Sequence, residues 1–371
     1  MDHSNMAMFD SERWAAVPFH FWSFVFFVFG SMVGSFLNVC IYRLPLEQSI
    51  VSPGSHCPRC GKAIPPWLNV PLVSWLWLGG KCKFCRAPIS SRYFLVELLT
   101  GALFLCAWLA FGHRSALQVL AYCVLLSGLI AATFIDFEHF IIPDEITLGG
   151  TAVGFLASLI VPQLHDATST LASLRASFLG IGLGAGIIYS IVRLGKLALG
   201  RQKFTLAEPA SVYFTETALV FPDMEIPYEE IFYRRSDTIV LHARTVELVD
   251  RGYRDVTVRL SQKTLQVGED TFPTEEVPCL EAVTDLVVVP REVMGLGDVK
   301  FMAAIGAFLG CAGVVFSLMA SAMLGAAVGI TLIACGKRAW ASRIQYGPYI
   351  ALAAAIWIFA HERLLKWLLV Q

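Results

Sequence analysis

The sequence predicts an α-helical polytopic membrane protein of about eight transmembrane helices, with a cysteine-knuckle loop and an inserted small β-rich soluble domain. Three observations carry this. Hydrophobic residues make up 56% of the chain and charged residues only 15%. With a mean hydropathy of +0.63, that is too apolar for a soluble protein of 371 residues. Two cysteine pairs of equal spacing lie in one basic loop, and a polar stretch of alternating pattern interrupts the apolar segments late in the chain. The net charge of −1 singles out no partner.

Apolar runs fall at residues 18–41, 93–111, 116–135, 146–161, 176–199, 299–311, 314–335 and 347–360, the last running on toward Val370. A crossing needs about 20 residues. The sixth run is short for that and reads as partly re-entrant or shielded by its neighbours. The tail 1–17 carries Asp2, Asp10 and Glu12 and no basic n-region, so no cleavable signal peptide is expected. Lys and Arg set the orientation. The loop 42–92 holds seven of them against the single acid Glu47; Arg193, Lys196, Arg201 and Lys203 mark one end of the fifth run, and Lys337, Arg338 and Arg343 precede the last. With eight spans all of these, together with Asp136 and Asp298, fall on the cytoplasmic side. The chain thus divides into the tail 1–17, membrane helices and cysteine loop in 18–111, membrane helices in 112–200, the insert 201–290, and membrane helices in 291–371.

The insert holds 9 Lys+Arg and 16 Asp+Glu. Runs such as Thr238-Ile239-Val240-Leu241-His242-Ala243 and Asp255-Val256-Thr257-Val258-Arg259-Leu260 alternate with period two, and Val267-Gly268-Glu269-Asp270 is a turn signal. A small soluble β-rich domain in a cytoplasmic loop is expected, structural in role or a docking surface for other machinery.

The cysteine pairs are Cys57-Pro58-Arg59-Cys60 and Cys82-Lys83-Phe84-Cys85. Two such knuckles let four thiolates converge on a tetrahedral Zn²⁺. Nearby basic residues favour the thiolate, and a cytoplasmic loop disfavours disulfides. The remaining cysteines, Cys40, Cys106, Cys123, Cys279, Cys311 and Cys335, are scattered and read as small buried hydrophobes.

Asp136 closes the uncharged run 116–135, and Asp298 ends Gly295-Leu296-Gly297-Asp298 at the start of another apolar stretch. A carboxylate at a membrane boundary is costly to desolvate and marks function. Two that meet can share a proton and activate water, as in aspartic peptidases; each alone also reads as a helix cap. Gly295 and Gly297 let the backbone bend and a substrate strand approach, or form a plain loop. Asp144, after Pro143, reads as an N-cap, Lys300 as a snorkelling residue, and Glu138 and His139 as solvated.

The segment Gly34-Ser35-Phe36-Leu37-Asn38-Val39-Cys40-Ile41-Tyr42-Arg43-Leu44-Pro45 resembles the amino-terminal signature of bacterial type IV prepilin peptidases. The tetracysteine loop follows, then Asn69-Val70-Pro71-Leu72-Val73-Ser74-Trp75-Leu76, the run from Ile89 to Gly101, Asp136-Phe137-Glu138-His139-Phe140-Ile141-Ile142-Pro143-Asp144, and Gly295-Leu296-Gly297-Asp298-Val299-Lys300. The likeness spans the chain except its start and the insert. It implies a bifunctional enzyme of the bacterial inner membrane, acting on its cytoplasmic side. Such an enzyme cuts the leader from prepilins or type II secretion pseudopilins, then methylates the new amino terminus with S-adenosylmethionine. The resemblance also implies that Asp136 and Asp298 are the catalytic pair.

The methyl-transfer half is less legible. No Gly-x-Gly-x-x-Gly follows a predicted strand. Gly180, Gly182, Gly184 and Gly186 read as helix packing. Glu97, one turn into the second run, can hold a substrate ammonium or the cofactor's sulfonium, or pair with Arg92. Asn38 and Arg43 at the mouth of the first run offer polar contacts. Rival readings are a transporter using Asp136 and Asp298 as ion sites, a zinc-dependent scaffold, and a peptidase without methyl transfer. Intramembrane carboxylates of transporters sit near the midplane, and the intact cysteine loop argues against the last.

Overall fold

Eight helices and one sheet are seen in the computed structural model, which describes residues 18–228, 231–232, 237–248, 251–290, 294–335 and 345–369. The tail 1–17 and the basic residues Lys337, Arg338 and Arg343 lie outside the described residues. The chain forms two units, one of residues 1–189 and 296–371, the other of 190–295.

The first unit is helical. Its elements are α1 (Phe19–Arg43), the short α2 (Val73–Trp77), α3 (Ser91–Phe111), α4 (Ala116–His139), α5 (Asp144–Ile160), the start of α6 (Thr170–Leu199), α7 (Leu296–Ala334) and α8 (Gly347–Leu369). Ser90 and Ser115 cap α3 and α4, each accepting a backbone N–H, from Arg92 and Gln118. Five helices are long and apolar enough to cross a membrane: Phe19–Leu46, Ser91–Phe111, Ala116–His139, Thr170–Leu197 and Leu296–Ala334. The chain is therefore a multi-pass membrane protein.

The expected eight spans differ from this in two ways. Runs six and seven are the two helical parts of α7, which meet at a kink at Gly310, whose φ of 64° and ψ of −170° leave the helical region. The fourth run, α5, has 17 residues, and Gly347–His361 is a shorter apolar helix. The first is at the lower end of the range for a crossing, about 17–25 residues, and the second is the start of the longer α8.

Lipid gives helices no hydrophobic reason to associate, so small residues that admit close backbone contact carry the packing. A Cβ placed on Gly34 would lie 2.7 Å from the Glu97 Cα, and one on Gly30 2.9 Å from the Gly101 Cα, which fixes α1 against α3. In the same way Gly180 abuts the Gly306 carbonyl and Gly184 the Met302 carbonyl, while the buried Ser177 hydroxyl donates to the Ala307 carbonyl at 2.8 Å. The packing role expected of the α6 glycines holds for Gly180 and Gly184. A side chain at Gly182 or Gly186 would meet nothing within 4 Å. Of the scattered cysteines, Cys40 and Cys123 are buried, whereas Cys106, Cys279 and Cys335 are exposed.

The second unit is an antiparallel sheet in the order β3-β2-β1-β8-β4-β5-β6-β7. Its strands are β1 (Arg201–Phe214), β2 (Ala218–Val220), β3 (Glu225–Pro227), β4 (Thr238–Glu247), β5 (Gly252–Ser261), β6 (Thr264–Val267), β7 (Asp270–Pro273) and β8 (Leu280–Pro290). Alternation works as the sequence indicates: Ile239, Leu241 and Ala243 enter the core while His242 and Arg244 face out. The first and last strands pair with each other, Arg201 opposite Pro290, with a shift of register between Thr205 and Ala210.

The two faces of α6 should respond oppositely to substitution. Gly180→Val forces a Cβ to 2.2 Å from the Gly306 carbonyl oxygen, and overpacking of this kind costs about 1–3 kcal/mol or more. Gly182→Val, with open space, should leave thermal unfolding in detergent unchanged. Equal tolerance of both would refute the packing assignment.

Candidate active site and metal centre

Asp136 lies buried in the last turn of α4. The helix ends because Phe140 adopts a left-handed conformation (φ 56°), its N–H returning to the Asp136 carbonyl at 3.0 Å. Asp136 Oδ2 accepts the backbone N–H of Gly347 at 3.0 Å. Gly347 opens α8, so that N–H has no acceptor within its own helix. A Cβ on Gly347 would stand 2.7 Å from Asp136 Oδ2 and 3.2 Å from Ile142 Cδ1; only glycine fits.

Asp298 lies in the first turn of α7. Its carboxylate is close enough to Tyr346 to act on the phenol. Burial raises that phenol above its usual range, the Ser321 hydrogen bond lowers it, and the Asp298 charge raises it further. Tyr346 and Ser321 hydroxyls are 2.9 Å apart. Asp136 is thus hydrogen-bonded to Gly347, and the Asp298 charge is felt at the neighbouring Tyr346. Ile142 lies between them: it contacts Gly347 and lies 3.5 Å from where a Gly297 Cβ would be.

Several expected roles change. Gly297 sits in the first turn of α7 and Gly295 just before it, and neither has a positive φ, so the glycine-permitted bend is not used. Asp144 is the first residue of α5, not its cap; Pro143 precedes the helix without a side-chain bond. Both Asp144 carboxylate oxygens instead take the Lys300 ammonium, at 2.6 and 2.9 Å. This ion pair joins the start of α5 to the start of α7, and it replaces the snorkelling role of Lys300. Glu138 is not simply solvated but pairs with Arg92. Arg92 is thus taken, and Glu97 holds the Leu72 N–H at 2.7 Å instead. Asn38 is buried and donates to the Gly34 and Tyr93 carbonyls at 3.3 and 3.1 Å. Arg43, also buried, donates to the Ser49 and Pro53 carbonyls at 2.9 and 2.7 Å. Both serve as internal ties, and Arg43 also lines a cavity at that end of α1.

Cys57, Cys60, Cys82 and Cys85 converge, their sulfurs all within 4.8 Å of one another. The knuckles repeat one geometry. Cys57 N–H bonds to the Lys62 carbonyl and Gly61 N–H to the Cys57 carbonyl; Cys82 and Ala87, then Arg86 and Cys82, do the same. Gly61 and Arg86, each following the second cysteine of its pair, are both left-handed, at φ 66° and 60°. The N–H groups of Cys60 and Arg59 pull the Cys57 thiol down to about 6, and those of Cys85 and Phe84 lower Cys82. Cys57 and Cys85 sulfurs stand 3.8 Å apart, close to the edge of a tetrahedron built on metal–sulfur bonds of about 2.3 Å. The donor set fits a metal ion.

A polytopic membrane unit with an acidic pair at one boundary and a four-thiol loop defines a class of membrane protein, and comparison with known proteins narrows it. The chain matches the Bacterial Peptidase A24 N-terminal domain over residues 28–111 and the Type IV leader peptidase family over 123–221 and 279–330. It is 38% identical over 207 residues to the prepilin leader peptidase/N-methyltransferase of Dichelobacter nodosus, covering 48% of this chain and 69% of that one. Identity to the protein of the same name from Myxococcus xanthus (strain DK1622) is 42% over 184 residues, covering 46% of this chain and 54% of that one. With the Aeromonas hydrophila protein of that name it is 26% over 377 residues and 95% of each. No solved structure matches. The chain belongs to the type IV leader peptidase family.

Elemental analysis of purified protein should find about one metal ion per chain. Cys82→Ser with Cys85→Ser should release it and loosen the loop, whereas Cys123→Ser, at an isolated buried thiol, should not. Metal retained after loss of a whole knuckle would exclude the four-thiol site.

Proposed function

We propose that this chain cuts the leader peptide from prepilins or pseudopilins at the cytoplasmic face of a bacterial inner membrane and then methylates the new amino terminus. The observation that supports the peptidase half is the buried Asp136 carboxylate, held by the Gly347 N–H next to Tyr346, on whose phenol the Asp298 charge acts. One ionised carboxylate takes the proton of a water attacking the scissile carbonyl, and the other, protonated, donates to the carbonyl oxygen. The proton gained by the first then passes to the leaving amine. Gly347 positions Asp136 without touching substrate. The four cysteines hold one structural Zn²⁺, and S-adenosylmethionine supplies an electrophilic methyl group. The printed names of the relatives, which join both activities, support this reading.

Asp136→Asn and Asp298→Asn should each lower prepilin cleavage at least about 100-fold while the protein still unfolds cooperatively in detergent. Asp144→Asn should retain substantial cleavage, since its ion pair with Lys300 is exposed and worth at most about 1 kcal/mol. Mass spectrometry of a co-expressed prepilin reads both the cut and any added methyl. Normal processing by either Asn variant of the pair would end the assignment.

Gly347→Ala should reduce kcat roughly 10- to 100-fold with little change in KM, because the new methyl displaces the Asp136 carboxylate. An unaltered kcat would mean that the Gly347 N–H does not position the acid.

A further inference from the structure

A cavity of about 350 Å³ opens at the end of α1 that meets the cysteine loop. That volume is in the range of ligand sites. One wall is α1 itself, through Met32, Phe36, Val39 and Arg43. These residues recur at helical spacing and so form a single stripe. A second wall is the strap 50–55, and Asn69 and Pro71 complete the lining.

Among the described residues that line it, Arg43 alone carries a charge. It is 7% exposed and donates to the Ser49 and Pro53 carbonyls at 2.9 and 2.7 Å. Among the described residues no carboxylate pairs with it. Glu97 stands outside the lining and accepts the N–H of Leu72, the residue after Pro71, which sits at φ 62° and ψ −51°. A guanidinium has five N–H donors, so two carbonyls leave donors to spare. A buried cation served only by neutral groups is costly, and an anion relieves that cost. The planar fork of Arg matches the oxygens of a phosphate.

The rest of the stripe is apolar. Met32 and Phe36 are exposed on a helix long and apolar enough to cross a membrane, so they face lipid. From Met32 to Arg43 the helix rises about 16 Å, close to the hydrocarbon depth of one leaflet, about 15 Å. The stripe is therefore greasy over a leaflet's depth and cationic at its end. The adjoining loop has the same double character. Val51, Trp67 and Trp77 are exposed, as befits residues at a membrane interface. Seven Lys and Arg stand there against one Glu, a balance that draws anionic headgroups. A soluble anion would use Arg43 and leave the apolar stripe without a role.

We infer that this cavity holds the headgroup of an anionic phospholipid, with Arg43 on the phosphate and an acyl chain along Phe36 and Met32. The site is independent of the cleavage chemistry. Arg43 also ties the strap, and the Ile64 N–H bonds to the Ser55 carbonyl at 2.8 Å, two residues before Cys57. The lipid thus joins α1 to the chain entering the first knuckle, and as a ligand of the native state alone it stabilises that junction.

The test is native mass spectrometry of the metal-loaded full chain in detergent, titrated with phosphatidylglycerol and with phosphatidylcholine. The unaltered chain should hold one phosphatidylglycerol about tenfold more tightly than phosphatidylcholine. Arg43→Gln should cut that preference to less than about twofold. Val39→Trp, which fills the cavity and leaves Arg43 in place, should abolish tight binding. Lys81→Gln removes an exposed loop charge outside the lining and should change neither. Metal content and thermal unfolding report whether each variant is folded; if Arg43→Gln loses the metal, Val39→Trp and Lys81→Gln decide. Millimolar inorganic phosphate should not displace the lipid; full displacement would make this a site for a free anion and end the proposal. Equal losses in Lys81→Gln and Arg43→Gln, or undiminished lipid binding by folded Val39→Trp, would overturn it. So would a chain that shows no lipid preference while Val39→Trp raises the KM for prepilin, which would give the stripe to the substrate.

Discussion

One hydrogen bond organises the acidic centre: the Gly347 N–H to Asp136 Oδ2. A helix start leaves its first N–H groups without acceptors, and in a membrane protein water is not at hand to take them. Asp136 answers that need for α8, and in doing so its carboxylate is fixed at the end of α4. The bond holds because residue 347 has no side chain, and Ile142 fills the remaining space. Through Tyr346 the same step reaches Ser321 and the Asp298 carboxylate. Three helices thus meet at two consecutive residues. The Lys300–Asp144 pair braces the arrangement from the exposed side.

Much of the architecture is legible in the sequence because its signals are local. Unbroken apolar runs mark α1, α3 and α4, alternation marks the strands of the insert, and equal spacing marks the two knuckles. Asp136 and Asp298 stand out because a charge next to an apolar run is rare. Other features depend on which distant backbones meet. Gly347 followed by Pro348 reads as an ordinary helix start, and nothing local says that a carboxylate more than two hundred residues earlier needs the space above it. Leu72 gives no sign of a left-handed backbone, since leucine there is disfavoured. Asp144 obeys every local rule for a cap, yet Lys300 claims it from another helix. The pairing of Arg92 with Glu138 rather than Glu97 is a choice between two acids that sequence alone leaves open. The kink in α7 is nearly where the apolar runs divide, though nothing local fixes it at Gly310.

The two halves of the membrane unit use small residues differently. Between α1 and α3, glycine lets backbones touch and brings Glu97 next to Gly34, beside Ser35. Between α6 and α7, glycine packs against bare carbonyls at Met302 and Gly306, in the same helix that opens with Asp298. In each case an acidic residue stands in a helix that glycines pack closely.

The inserted sheet begins and ends on neighbouring strands, Arg201 beside Pro290, so its two chain ends are about one strand spacing apart. The family match breaks off after residue 221 and resumes at 279, within this domain. A module whose entry and exit coincide asks almost nothing of the loop that hosts it. Lineages can acquire, trade or shed such a domain as one piece, and the same junction offers an engineer a graft point for any folded cargo whose termini lie equally close.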